Sequence, residues 1–141
     1  MADIRVASTE AFFSLPETRI GMMPDLGGSV RMTRLVGAAN AAWLSLSGRR
    51  IDTDKALSWG LVQESCPPGQ SLAVARALVA DICKGAPKAT RLAVEAIRQA
   101  AILPLDQALE LETQRGADAL VSGEAPIGLA AFAERKAPRW T

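Results

Sequence analysis

The chain has 141 residues, 49% hydrophobic and 22% charged, with 16 basic and 15 acidic side chains and a formal net charge of +1. That length and composition suit a single globular domain, and the balanced, interspersed charge offers no basic footprint for DNA or RNA. Histidine and tyrosine are both absent, which removes Ser-His-Asp and Cys-His catalysis and His-ligated metal sites; proton chemistry then falls to carboxylates, with Lys and Cys behind them.

Two short strands are predicted first, over residues 3–7 and 11–14: Ile4 and Val6 alternate with Arg5, Phe12-Phe13 opens a second apolar run, and Ser8-Thr9-Glu10 reads as the turn between them. A lone pair of strands is marginal in water, so the sheet is expected to be cut, with further strands upstream of Met1. The start Met1-Ala2-Asp3-Ile4-Arg5 has neither a secretory nor a transit-peptide character. No apolar run approaches the roughly 20 residues that span a bilayer. A cytoplasmic protein without a membrane partner is expected.

From Leu15 the texture changes. Pro16, Gly21, Pro24, Gly27 and Gly28 punctuate fourteen residues, which reads as loop with tight turns. A helix is predicted to start after Gly28 and run to Val36 with Gly37 as its stop, and a second over about 38–47 before Gly48. Asp52 reads as the N-cap of a third, closed by Gly60. Cys66-Pro67-Pro68-Gly69 is a predicted turn.

Beyond it, Leu72, Ala75, Val79 and Ile82 mark one face of a helix ending near Gly85 and Pro87. Ala89, Leu92, Ala93, Ala96, Ile97 and Ala100 give the cleanest helical stripe. Pro104 breaks it, and Leu105, Ala108, Leu109, Gly116, Ala119 and Leu120 carry another until Ser122-Gly123. A last short helix, about 126–134, leads into Arg135, Lys136 and Arg139. Glu112 interrupts the apolar stripe of its helix and is expected to pair with Arg98 or Arg115. Trp43 and Trp59 read as packing residues. Cys66 and Cys83 are too few and too far apart for a clip or a disulfide framework, and read as free thiols.

The chemically informative stretch is Leu15-Pro16-Glu17-Thr18-Arg19-Ile20-Gly21-Met22-Met23-Pro24-Asp25-Leu26-Gly27-Gly28. Two carboxylates flank a Met-rich apolar segment that ends at a glycine-opened helix start. A carboxylate among apolar side chains is suited to give or take a proton near neutrality, and backbone N–H groups at a helix start favour a polar or anionic ligand group. On pattern alone the acids equally fit a solvated loop, Asp25 a helix cap, and Met22-Met23 core filler.

The order of Phe13-Ser14-Leu15-Pro16-Glu17, Gly21-Met22-Met23-Pro24-Asp25-Leu26-Gly27-Gly28 and Arg34-Leu35-Val36-Gly37 resembles the crotonase, or enoyl-CoA hydratase/isomerase, family. The likeness starts at Asp3-Ile4-Arg5-Val6 and continues through Ser47-Gly48-Arg49-Arg50-Ile51, Ala56-Leu57-Ser58-Trp59-Gly60-Leu61-Val62 and Ala131-Phe132-Ala133-Glu134-Arg135-Lys136. What it implies is an α/β chain of ClpP/crotonase-type fold, C-terminal portion only, predominantly helical with a few short strands. Residues 1–62 would form a partial crotonase core with the active-site loop, and 63–141 the C-terminal helical region of trimerisation type.

The resemblance further implies an acyl-CoA substrate, with coenzyme A as part of the substrate rather than a cofactor, no metal, and a homo-oligomer, trimer or hexamer. Glu17 matches the family's proton-transferring glutamate. Asp25, eight residues on, stands where hydratases commonly carry glycine and where the dienoyl-CoA isomerase branch places aspartate, which tilts the expectation toward isomerisation. Phe132, Arg135 and Lys136 match the basic end that can approach the CoA nucleotide; alternatives are a core anchor for Phe132 and a solvated helix terminus for the basic pair.

In the family, both oxyanion-hole donors and the hydratase's partner glutamate precede the residue matching Asp3, so the chain alone is expected to be inactive. The competing reading is a non-catalytic fragment or helical self-association module. A carboxylate-pair glycosidase would use the same acids, but an aromatic content of 4% gives no support for sugar stacking.

Overall fold

A computed structural model describes residues 2–140, so the expectation that turned on Met1 lies outside the described residues. Two compact units divide the chain, Met1–Ala77 and Leu78–Thr141.

In the first unit the strands are short and find partners far along the chain. Strand β1, Val6–Ser8, pairs in parallel with β4, Glu64–Cys66; β2, Phe12–Phe13, pairs antiparallel with β3, Ile51–Asp52. The two predicted strands therefore do not pair with each other. Thr53, 1% exposed, explains how the chain turns between them: its hydroxyl donates to Ser8 O at 2.6 Å and to Ala11 O at 3.2 Å. Cys66 belongs to β4 rather than to a turn, because its carbonyl accepts from Thr9 N at 2.9 Å and extends the ladder.

Helix α1, Gly28–Ser47, is broken at Gly37, whose φ of 81° and ψ of 160° leave the helical region; the glycine stop between two helical stretches is where the sequence put it. Helix α2, Thr53–Ser58, starts at Asp52, whose carboxylate accepts from Lys55 N at 2.8 Å, the N-cap bond that satisfies an otherwise orphaned donor. The core lies wholly here: Ala7, Val36, Ala41, Leu44, Ile51, Ala56, Leu61 and Val62 are buried together. Trp43 and Trp59 meet edge to face at 5.8 Å with Lys55 over both rings, packing residues as expected.

Helix α3, Ser71–Ile82, crosses into the second unit, which adds α4, Pro87–Ala100, α5, Leu105–Leu120, and α6, Glu124–Ala133. Arg115 joins α5 to α4 through Glu95 at 2.7 Å and bonds Asp118 on its own helix at 3.1 Å; Glu95 foremost raises its pKa above the ordinary guanidinium value. That corrects the Arg115 alternative of the pair expected for Glu112: Arg115 engages Glu95 and Asp118 instead, and Glu112 is exposed. Trp140 ties the tail down, its indole donating to Lys84 O at 2.8 Å while its ring rests against Gly128. Both cysteines are free thiols, Cys66 buried and Cys83 exposed.

Candidate functional site

After β2 the chain enters Leu15, half-buried against the core, and Pro16. Pro16 opens a 3-10 turn, Glu17–Ile20, closed by left-handed Gly21; the stretch is thus more regular than the loop its glycines and prolines predict. Thr18 Oγ1 donates to Ser45 O at 2.8 Å, Arg19 donates to Ser47 O, and Ser14 Oγ donates to Gly48 O at 3.3 Å. Glu17 is half-buried. Its Oε2 is shut off from solvent and has no hydrogen-bond partner among the described residues, an arrangement that ordinarily costs a few kcal/mol for a polar atom.

Asp25 is exposed and is not the helix cap. That place belongs to Gly27, left-handed with φ 89°, and no side chain caps the helix. The backbone turns in by its own bonds, Gly27 N to Asp25 O at 2.7 Å and Ser29 N to Pro24 O at 2.9 Å. Gly28 is needed for packing, because a Cβ there would fall 2.6 Å from Pro24 Cβ. Met22 and Met23 are not core filler: both are more than half exposed, and with Ile20, Leu26 and Val30 they form an uncovered apolar run beside the acids.

Phe132, Arg135 and Lys136 lie in the second unit. Phe132 is 83% exposed, so it is not a core anchor. Helix α6 ends in a Schellman motif, with Lys136 N bonded to Ala131 O at 2.9 Å and Arg135 N to Phe132 O at 3.1 Å. The left-handed position, usually glycine, is Arg135 with φ 54°. Lys136 Nζ lies 2.9 Å from Glu134, both well exposed, a pair that contributes little. The structure thus groups Glu17 with Asp25 in one unit and the three basic-end residues in the other. Sequence reasoning read Gly48 only as a helix stop and passed over Thr18 and Arg19; the available signal was the bare helix C-terminus before Gly48, whose last carbonyls need donors from somewhere.

The pattern of the family described as Enoyl-CoA hydratase/isomerase matches residues 1–141. The chain belongs to the enoyl-CoA hydratase/isomerase family. It is 36% identical over 141 residues to a probable enoyl-CoA hydratase of Mycobacterium bovis, covering 100% of this chain and 55% of that one. Among solved structures, an enoyl-CoA hydratase of Bacillus anthracis superposes with a TM-score of 0.93 at 32% identity, over 99% of this chain and 54% of that one. The enoyl-CoA hydratase of Mycobacterium tuberculosis gives 0.91 at 31%, over 99% and 56%. The chain therefore spans about half the length of the relatives it matches, and its crotonase-type fold is shown over that span. Among the described residues no helix is long and apolar enough to cross a membrane, and no three potential ligands gather around a common metal position.

Proposed function

We propose that this chain contributes the C-terminal half of an acyl-CoA site of crotonase type, in which Glu17 moves a proton at the acyl carbons of an oxyanion-stabilised thioester enolate. The observation that carries the reading is the buried, unpartnered Glu17 Oε2. A carboxylate oxygen kept dry and without a protein donor is one left available to a substrate proton. Asp25, exposed and free of a capping role, is the second carboxylate, and its presence favours an isomerase, in which one acid removes the proton and the other returns it further along the chain. In the first unit Met22, Met23 and Leu26 offer apolar surface for an acyl group; in the second unit, taken by itself, Phe132, Arg135 and Lys136 have the chemistry to meet the aromatic and anionic parts of CoA.

By the family resemblance both oxyanion donors would precede the residue matching Asp3, and carbonyl polarisation is usually the largest catalytic contribution. Turnover of crotonyl-CoA and of a 3-enoyl-CoA is therefore expected to be unmeasurable for the chain alone. It is expected to appear when the upstream half of a relative is added as a separate polypeptide, and to fall by about 100-fold or more in Glu17→Gln, the range for loss of a general acid-base group. Robust turnover by the chain alone, or by the complemented Glu17→Gln variant, would overturn the reading.

A second reading, a helical self-association module without catalysis, is favoured by the exposed Leu105, Leu109, Leu120, Leu129 and Phe132 of α5 and α6. Size measurement together with CoA binding separates the two: association without CoA affinity supports the module.

A further inference from the structure

The turn that carries Glu17 is short and weakly held by its own bonds. It has four residues, none of them buried, with Gly21 N also directed at Glu17 O; Arg19 N reaches Pro16 O at 2.9 Å, Met22 N reaches Glu17 O at 3.0 Å, and Gly21 N reaches Thr18 O only at 3.4 Å. Isolated 3-10 turns have poor hydrogen-bond geometry and no cooperativity to draw on. The anchor is the C-terminus of α1, where Ser45 O and Ser47 O lack helical donors of their own and the helix dipole favours a cation.

We propose that Arg19 is a positioning residue for Glu17: by gripping Ser47 O through Nε and Nη2, it fixes the turn so that the glutamate keeps one carboxylate oxygen shielded and unpaired. The inference rests on the reading of Glu17 as the proton carrier and deepens it.

Two further observations bear on it. Gly48 has φ 56°, and a Cβ there would lie 2.6 Å from Arg19 Nε and 2.9 Å from Arg19 Cδ. The guanidinium occupies space that only glycine leaves open. A carboxylate oxygen without a donor also gains by swinging into water, so something must deny it that motion; Glu17 sits two residues from Arg19, on the same short turn. Thr18 adds one hydroxyl bond to Ser45 O, whereas the guanidinium adds two directed N–H groups on a planar frame.

Carbodiimide coupling of the full chain to a small amine reads the shielding of each carboxyl. Trypsin, cutting after Arg5 and Arg19, releases residues 6–19 as one peptide containing both Glu10 and Glu17, and in Arg19→Ala releases residues 6–31, in which fragment masses separate these two from Asp25; exposed Glu10 serves as the internal reference. In the unaltered chain Glu17 is expected to couple about tenfold more slowly than Glu10, since reaction requires local opening. Arg19→Ala, and independently Gly48→Ala, are expected to bring the two rates within about twofold, while Arg19→Lys, which keeps one donor for Ser47 O but loses the planar two-point grip, is expected to fall between alanine and the unaltered chain. The thermal midpoint of Arg19→Ala is expected to move by under about 3 °C, because the side chain is exposed.

An unchanged ratio in Arg19→Ala, or an Arg19→Lys variant indistinguishable from alanine, would overturn the proposal. The Glu17→Gln turnover experiment judges the proton carrier separately, so the two readings fail by different measurements.

Discussion

Arg135 stands where the end of α6 calls for glycine. It is the only residue other than glycine with positive φ among those described, at 54°, and a side chain in the left-handed region costs about 1–2 kcal/mol. Strain kept at such a position points to a use for the side chain, and here the strained residue and Lys136 follow an uncovered Phe132 at the end of the helix. Arg135→Gly is therefore expected to raise the thermal midpoint by a few degrees while weakening CoA binding. Calorimetric titration with CoA, run beside differential scanning on the same sample, checks both. A midpoint that rises with no loss of CoA affinity would leave the basic end as a plain helix terminus.

Helix α4 shows how one element borrows its end from another. Its N-cap is Ala86, which has no side-chain acceptor, and Pro87 occupies the first turn. The free N–H groups of Lys88 and Ala89 are met instead by the carboxylate of Glu124, from the start of α6, at 2.8 and 2.9 Å. Those backbone donors, that of Lys88 foremost, hold the Glu124 pKa below the ordinary carboxylate value. Because the folded state then binds fewer protons than the unfolded chain, the stabilisation is complete above the ordinary carboxylate range and is lost as pH falls through the depressed folded value. Glu124→Ala is expected to melt a few degrees lower than the unaltered chain at pH 7, with the gap closing as the solution is acidified through that range. Parallel melting curves from neutral to acidic pH check it; a gap independent of pH would mean that charge plays no part in the cap.

The same contrast decides what was legible in the sequence across the whole molecule. Gly37, Gly48, Asp52 and Pro104 announced their breaks and caps because those devices act through neighbouring backbone. Strands β3 and β4, of two and three residues, announced nothing: Ile51–Asp52 and Glu64–Cys66 are strands only because β2 and β1, about 40 and 58 residues earlier, lie alongside them. Within the candidate site, the family pattern singled out Glu17, whereas the unpartnered Oε2 and the Arg19 bond to an α1 carbonyl nearly thirty residues away have no signature in the local sequence. Exposure of Met22, Met23 and Phe132 was equally hidden, since an apolar residue type does not say whether anything covers it.

That uncovered surface is unevenly distributed: every buried core residue belongs to the first unit, while no described residue from 78 to 140 is buried. Helices of 10–16 residues draw most of their stability from packing rather than propensity. In dilute solution, backbone amides of α4, α5 and α6 are therefore expected to exchange with deuterium well before those of α1 and α2. Association would bury the apolar faces and stabilise the helices by mass action, so protection in 78–140 is expected to rise with protein concentration while protection of the first unit's core stays level. Hydrogen exchange followed by mass spectrometry at two concentrations about 100-fold apart reads this, because mass action at that ratio is worth about 2.7 kcal/mol. Equal protection of the two units at the lower concentration would show that the α4–α5 clamp and the Glu124 cap hold the second unit without a covered core.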